Sequence, residues 1–424
     1  MIEMHSKPAV KILKLSSGLF PVPPYVGGAV DRYIYELSSA LSKLGIEIHI
    51  VANGYSSKHP FKGVIIHRGL KLNFPFSAGF YSWAIGFLVG GLSIFITAFI
   101  TLLKSRFNFD IIHGHNLIPT FLFILLRKTL KLKVKIGFTI HGSAKREVYY
   151  KGLKGIVALL CSGLSTLVFR NSDFLVVFSK SKKKRLIYKW RLPASKITVI
   201  KQGVNVDFFS PNMKGYRKEF CVFVGRLTPM KGAQYVLPAL KNLNIKCVIV
   251  GDGPLRKELE RSAKSLGMDD RVIFTGLLPI WKVKETYQKA YFLILPSLRE
   301  GFPLSILEAM SSGLPVICTD IAGIRDVVVD GYNGFLVPPG DVRTLSRKVK
   351  VLIENDGLRG IMGENARKTA LNHSWDKLAR KHARLYFKIL NKRSPSNFEV
   401  YSVPSSAFNC LLYTSDAADD GESV

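Results

Sequence analysis

SLREGFPLSILEAMSSGLPVICTDIAGIRDVVVDGYNGFLVPPGD (297–341) reads as the loop, helix and strand that complete a β-α-β unit. The apolar strand YFLILPS runs into it and ends at Pro296. Glu300 stands in the loop, a helix begins near Leu304 and carries Glu308, and LPVICTD is the next strand. Toward the N-terminus, EFCVFVG (219–225), KCVIVG (246–251) and RVIFTG (271–276) are further short apolar runs separated by helix-length segments. Strands alternating with helices specify a parallel sheet covered on both faces.

The same grammar governs the first half. VKILKLS (10–16) is a strand, the Gly- and Pro-rich SGLFPVPPYVGG (17–28) is a loop, and Val30, Ile34, Leu37, Leu41 and Leu44 recur at helical spacing until Gly45. IEIHIVA, DIIHGH, VKIGFTIH, DFLVVFS and KITVIK follow as strands. A chain of 424 residues, 47% hydrophobic, is too long for one ordinary domain. The expectation is α/β: two Rossmann-like, doubly wound domains, 1–205 and 206–375, facing an interdomain cleft, with a linker near 205–217. SWDKLARKHARLYFKIL is an amphipathic helix, and 376–391 is expected to pack back toward the first domain. Residues 392–424 are expected to be disordered. Within them CLLYTSDAADD (410–420) reads as the translation of a sequencing-library adapter and is set aside from fold reasoning.

Charge is unevenly shared. Residues 1–200 hold 29 basic and 7 acidic side chains, and the remainder 32 and 23, within a formal net charge of +31. Basic runs fall at 127–135, 145–154 and 180–191, the last two interleaved with aromatics, and suit an anionic membrane surface. No nucleic-acid module accompanies them, so no nucleic-acid partner is expected. Residues 72–103 carry no charge. A single membrane crossing there would separate strands that belong to one sheet, which leaves buried helices or an apolar face dipping into the lipid interface. Five scattered cysteines without a Cys-x-x-Cys pair fit a reducing cytosol, and the first residues lack the apolar run of a signal peptide.

The chemistry concentrates at strand ends. Backbone N–H groups in the stretch from Phe302 through Pro303 and Leu304 to Ser305 lie at a helix N-terminus and favour an anion. Arg226 and Lys231 follow another strand end in FVGRLTPMKG and can clamp the same phosphate. Glu300 and Glu308, poor phosphate ligands, suit sugar hydroxyls. Sugar plus diphosphate means a nucleotide sugar. Capping and surface ion pairing are the bland alternatives for the carboxylates, and a tight turn for Gly27 and Gly28. His141 is left open between core and site. His113 and His115 share a strand face with no carboxylate or Cys beside them, which argues against a metal. The Gly251–Gly253 turn lacks the third glycine of a dinucleotide fingerprint.

From residue 11 to 390 the chain resembles glycosyltransferase family 4 (glycosyl transferases group 1) of the two-Rossmann-domain GT-B fold. EGFPLSILEAM carries the resemblance most specifically, supported by PPYVGGAVDRYIYELSSAL, DIIHGHN, FTIHGS, VGRLTPMKG, VGDGPLRKELE and VIKQGVNVDFF. The resemblance implies that Glu300 contacts donor-sugar hydroxyls and Glu308 the ribose. It places Arg226 and Lys231 on the diphosphate, the amides of Gly27 and Gly28 on the same phosphates from the other domain, and His141 beside the reacting sugar. It also implies transfer with retention, although His141 as an inverting base is the alternative. Gln202 to Asn205 depart from the family's usual run and are assigned no ligand.

No Asp-x-Asp motif occurs, so metal-independent transfer is expected, with no cofactor beyond a UDP-, GDP- or ADP-sugar donor. The expected acceptor is a sugar or lipid-linked glycan, and the expected location is cytoplasmic, peripheral at the inner face of the cell membrane. A nucleotide-sugar epimerase of the same fold, or a basic binding protein with a vestigial cleft, are the rival readings.

Overall fold

A computed structural model describes residues 10–19, 21–22, 28–54, 63–70, 80–141, 153–211, 219–301 and 304–392. Two parallel sheets organise them. The first contains β1 (Lys11–Leu15), β2 (Glu47–Ala52), β3 (Val64–Arg68), β4 (Ile111–Gly114), β5 (Lys135–Thr139), β6 (Phe174–Val177) and β7 (Ile197–Val199), in the order β3-β2-β1-β4-β5-β6-β7. The second contains β8 (Phe220–Val224), β9 (Lys246–Val250), β10 (Val272–Gly276), β11 (Ala290–Leu295), β12 (Val316–Thr319) and β13 (Gly334–Val337), in the order β10-β9-β8-β11-β12-β13. Central strands such as β4, β6 and β12 are buried at every position. That is why they read as continuous apolar runs rather than alternating ones.

Each sheet reverses its winding once, between β1 and β4 and between β8 and β11. The crevice at such a switch point, beyond the carboxyl ends of the strands, is where open α/β sheets bind ligands. The loops that matter below follow those strands, together with β5.

The helices fill the faces. On one side of the first sheet lie α1 (Ala29–Ser42) and, far along the chain, α13 (Trp375–Ile389), which packs directly on α1. On the other side lie α2 (Phe80–Lys104), α3 (Leu117–Thr129), α4 (Leu153–Asn171) and α5 (Lys180–Trp190), burying Ile94, Ala98, Leu102, Phe123 and Val168 against β1, β4 and β5. Around the second sheet lie α6 (Ala233–Leu240), α7 (Arg256–Ser265), α8 (Ile280–Lys289), α9 (Leu304–Ser311), α10 (Ala322–Arg325), α11 (Val342–Glu354) and α12 (Asp356–Leu371).

The two connections between the sheets run side by side. Val204 N donates to the His373 carbonyl at 2.9 Å, and a side chain on Gly203 would collide with the Trp375 ring. Packing therefore accounts for the Gln202 to Asn205 segment, where Asn205 Oδ1 accepts from Phe208 N at 3.0 Å. The tail from 393 onward, including 410–420, lies outside the described residues.

Candidate active site

Three loops build the centre. After β8 the chain turns through Arg226 and closes a short 3-10 turn, Pro229–Lys231, so that α6 begins at Ala233 rather than at Lys231 itself. After β11 it continues through Ser297, Glu300 and Gly301 toward α9, whose first residue is Leu304. These two loops are knitted together: Leu298 N donates to the Met230 carbonyl at 2.9 Å, and Ser297 Oγ to the Lys231 carbonyl at 3.4 Å. The fit requires Gly232, whose φ is +74° and whose missing Cβ would strike the Pro296 carbonyl oxygen. Gly232→Ala is expected to cost about 1–3 kcal/mol through overpacking alone, read as a lowered Tm, and to disperse Lys231. A melt unchanged from wild type would refute the close approach.

Glu300 receives Lys231 Nζ at 2.5 Å and Ser297 Oγ at 2.8 Å, both on Oε1, and its side chain is only 7% exposed. The carboxylate is thus fixed, and Oε2 takes part in neither of these bonds. A Cβ at Gly323, in α10, would collide with the Glu300 carbonyl oxygen, so this loop rests against α10 as well.

Glu308 lies on α9 and is buried. Tyr287 Oη donates to its Oε2 at 3.4 Å, and the Arg32 guanidinium is ion-paired to its Oε1. Arg32 belongs to the other domain, on the first turn of α1, next to Gly28, which caps that helix in a left-handed conformation with φ 63°. The approach of Gly28 is set by Asp31. Its buried carboxylate accepts from Ser17 N at 3.0 Å and Ser17 Oγ at 2.5 Å, tying the end of β1 to the start of α1, and burial pushes its pKa up to about 7.

His141 follows β5, and its carbonyl oxygen lies 3.3 Å from where a Cβ on Gly301 would sit, so the two domains meet here. Its Nε2 is 2.8 Å from His115 Nδ1, and its ring stands edge-on to Tyr33 with centroids 5.0 Å apart. Burial pushes its pKa down to about 3 and leaves the imidazole neutral at pH 7. His113 is bonded to Thr139 Oγ1 and Tyr386 Oη, both at 2.8 Å, and is held neutral by burial in the same way.

The structure therefore brings Lys231 to Glu300, Arg32 to Glu308 and His141 to Gly301, and leaves Arg226 exposed on the loop it shares with Lys231. Gly27, Phe302 and Pro303 lie outside the described residues. Sequence reasoning missed Arg32, Tyr287 and Ser297. Arg32 had one signal: a charge four residues beyond Gly28, in the first turn of an otherwise apolar-faced helix. Among the described residues, no group of three or more His, Cys, Asp or Glu side chains is arranged to hold a metal ion.

Known proteins share this sequence pattern and this fold. Residues 26–208 match the family model described as glycosyltransferase family 4, and residues 207–369 the one described as glycosyl transferases group 1. An uncharacterised glycosyltransferase of Methanocaldococcus jannaschii is 29% identical over 357 residues, covering 84% of this chain and 92% of its own. A phosphatidylinositol N-acetylglucosaminyltransferase subunit of Arabidopsis thaliana is 25% identical, over 82% of this chain and 76% of its own. Among solved structures, Anabaena HepE in complex with UDP and glucose superposes with a TM-score of 0.68 at 17% identity, covering 89% of this chain and all of the other.

Proposed function

The chain belongs to glycosyltransferase family 4, and from that membership we propose that it moves a hexose from a nucleoside diphosphate sugar to an acceptor hydroxyl, with retention and without a metal ion. One observation carries the reading: two carboxylates, Glu300 before α9 and Glu308 within it, each held by a cation, flank one helix N-terminus at a switch point. Glu300 accepts hydroxyls of the donor sugar and Glu308 the ribose diol. Arg226, Lys231 and the amides at the start of α9 stabilise the departing diphosphate, joined by Gly27 and Gly28 from the other domain. These cations supply the positive charge that a metal would otherwise provide.

The bond from the anomeric carbon to the diphosphate oxygen breaks, and the acceptor oxygen bonds to that carbon on the same face. The acceptor's proton passes to the departing phosphate. His141 is a poor alternative base, because an imidazole whose pKa is held near 3 has little affinity for a proton. The acceptor we favour is lipid-linked and met at the cytoplasmic face of a membrane. The Arabidopsis relative's name refers to a phosphatidylinositol acceptor, and the described cysteines are all free thiols, which suits a reducing compartment.

Thermal stabilisation by UDP, GDP, ADP and their hexose conjugates, without added metal, tests the proposal. A nucleotide at a hundredfold excess over Kd adds about 2.7 kcal/mol, and one nucleoside should stand out. Glu308→Ala removes hydrogen bonds to a charged acceptor worth about 1.5–3 kcal/mol, so the Kd of that nucleotide should rise by about 10- to 150-fold. Equal affinity in the variant would take Glu308 out of the ribose site.

A further inference from the structure

The outer surface of the first domain holds an apolar face that glycosyl transfer does not explain. α2 carries no charge until Lys104, yet it is not a core helix: Ser93, Ile94, Ala98 and Leu102 are buried against the sheet, while Leu88, Leu92, Ile96, Ile100 and Leu103 are 41–56% exposed. Those five recur at intervals of three and four, a single outward stripe about 22 Å long. α3 packs between α2 and α4. It adds Leu125, with Leu130 just past its end, and α4 adds Leu159, Leu160 and Leu167, all more than 40% exposed. A helix bordering water places polar residues all along its outer face; here the exposed polar residues Lys104, Lys128, Thr129 and Arg170 gather at the C-terminal ends and leave the rest to leucine and isoleucine.

Charge identifies what covers them. Lys104, Arg106, Lys128, Lys131, Lys133 and Arg170 stand exposed at or just beyond the C-terminal ends of the three helices. Because all strands of the sheet are parallel, these ends lie on the same edge. No Asp or Glu occurs in 80–109, 115–135 or 153–171. A second copy of the chain would bring a similarly unbalanced basic rim. Anionic headgroups complement it. α2 is long enough to cross a bilayer, but its inner face is committed to the sheet, so it can enter lipid only lengthwise.

We propose that the joint outer face of α2, α3 and α4 seats this protein flat on an anionic bilayer, with the leucine and isoleucine stripe in the interface and the basic edge among the headgroups. This rests on and deepens the reading of a lipid-linked acceptor: it holds the enzyme at the surface where such an acceptor resides.

Co-sedimentation of the full chain with vesicles tests it, using phosphatidylcholine alone or mixed with phosphatidylglycerol. The expected result is binding to the mixed vesicles, weakened at least tenfold by Leu92→Glu with Ile96→Glu, and by raising salt from 0.1 to 0.5 M. Both substituted side chains are already solvent-facing, so the variant should melt with the wild type and keep its response to nucleotides. Wild-type protein that stays in the supernatant overturns the proposal. So does a concentration-dependent dimer, seen by light scattering, that the same variant dissociates. Vesicle binding without a response to any nucleoside diphosphate would instead leave the docking face standing and defeat the transferase chemistry proposed for the cleft.

Discussion

Replacing Glu300 with Gln should lower kcat/KM by about two to three orders of magnitude, the scale set by removing a preorganised group that acts on transition-state charge. The substitution is nearly isosteric, yet it changes two things together. The carboxylate proposed to accept donor hydroxyls becomes an amide offering one acceptor and two donors. The 2.5 Å partnership with Lys231 Nζ loses its charge, and an amide NH₂ facing that ammonium would repel it. Lys231 is then no longer aimed, although its own side chain is intact. A comparison with Lys231→Met separates the effects. Loss of the phosphate-facing cation alone should fall mainly on kcat, because the diphosphate gains negative charge as the bond breaks. Loss of Glu300 should fall on both kcat and the KM of the donor. Steady-state kinetics over a donor series reads the difference, and a Glu300→Gln enzyme within threefold of wild type would remove this carboxylate from the reaction.

The pairing that makes this prediction specific was only half legible in the sequence. Strands, switch-point loops and the run EGFPLSILEAM could be read because continuous apolar stretches and Gly or Pro punctuation are local signals. So could the neighbourhood of Lys231 and Glu300, whereas Arg226 stays exposed on its loop and Glu308 pairs elsewhere. Which cation meets which carboxylate could not be read. Arg32 and Glu308 are 276 residues apart, and nothing near either one announces the other. Along α2 the difficulty was different in kind. α2 carries no charge before Lys104, and its hydroxyls at Ser93 and Thr101 are buried rather than outward, so polarity does not mark the stripe that faces outward, and only packing against β1 and α3 settles it. In α13, His382 and Tyr386 interrupt an apolar face and look like surface residues. They are buried because they reach Tyr33 and His113 of the first domain, at 3.0 and 2.8 Å.

That buried array sets the second large expectation, a steep loss of stability in mild acid. Burial lowers the pKa values of His141 and His382 to about 3 and that of His373 to about 4, and those of His113 and His115 well below the usual 6.5. Such groups are neutral in the fold and take up protons in the unfolded chain below pH 6.5. Their contribution is therefore complete above 6.5 and is lost as pH falls toward the folded values. Asp31 and Glu36, raised by burial to about 7, act in the opposite sense over the same range, because the folded state holds their protons longer. Five histidines against two carboxylates approach a net difference of three protons as the unfolded histidines fill, so the slope steepens below 6.5 toward about 4 kcal/mol per pH unit near pH ~5. His49 and His67, on β2 and β3, are lowered by burial too and add to it. Since whole domains are stable by only about 5–15 kcal/mol, thermal melts should fall sharply between pH 6.5 and 5. A flat profile over that interval would contradict the neutral histidine array. His382→Gln, which preserves a hydrogen-bonding partner for Tyr33, should reduce the slope by one proton. The first contacts to fail are those that hold α13 against α1 and β4, where His382 meets Tyr33 and His113 meets Tyr386. α13 is the segment that returns from the second domain to the first. Acid should therefore abolish transfer by letting the two halves of the cleft part, at a pH where the second domain, which buries His373 alone of these histidines and at its junction with the first domain, still binds nucleotide.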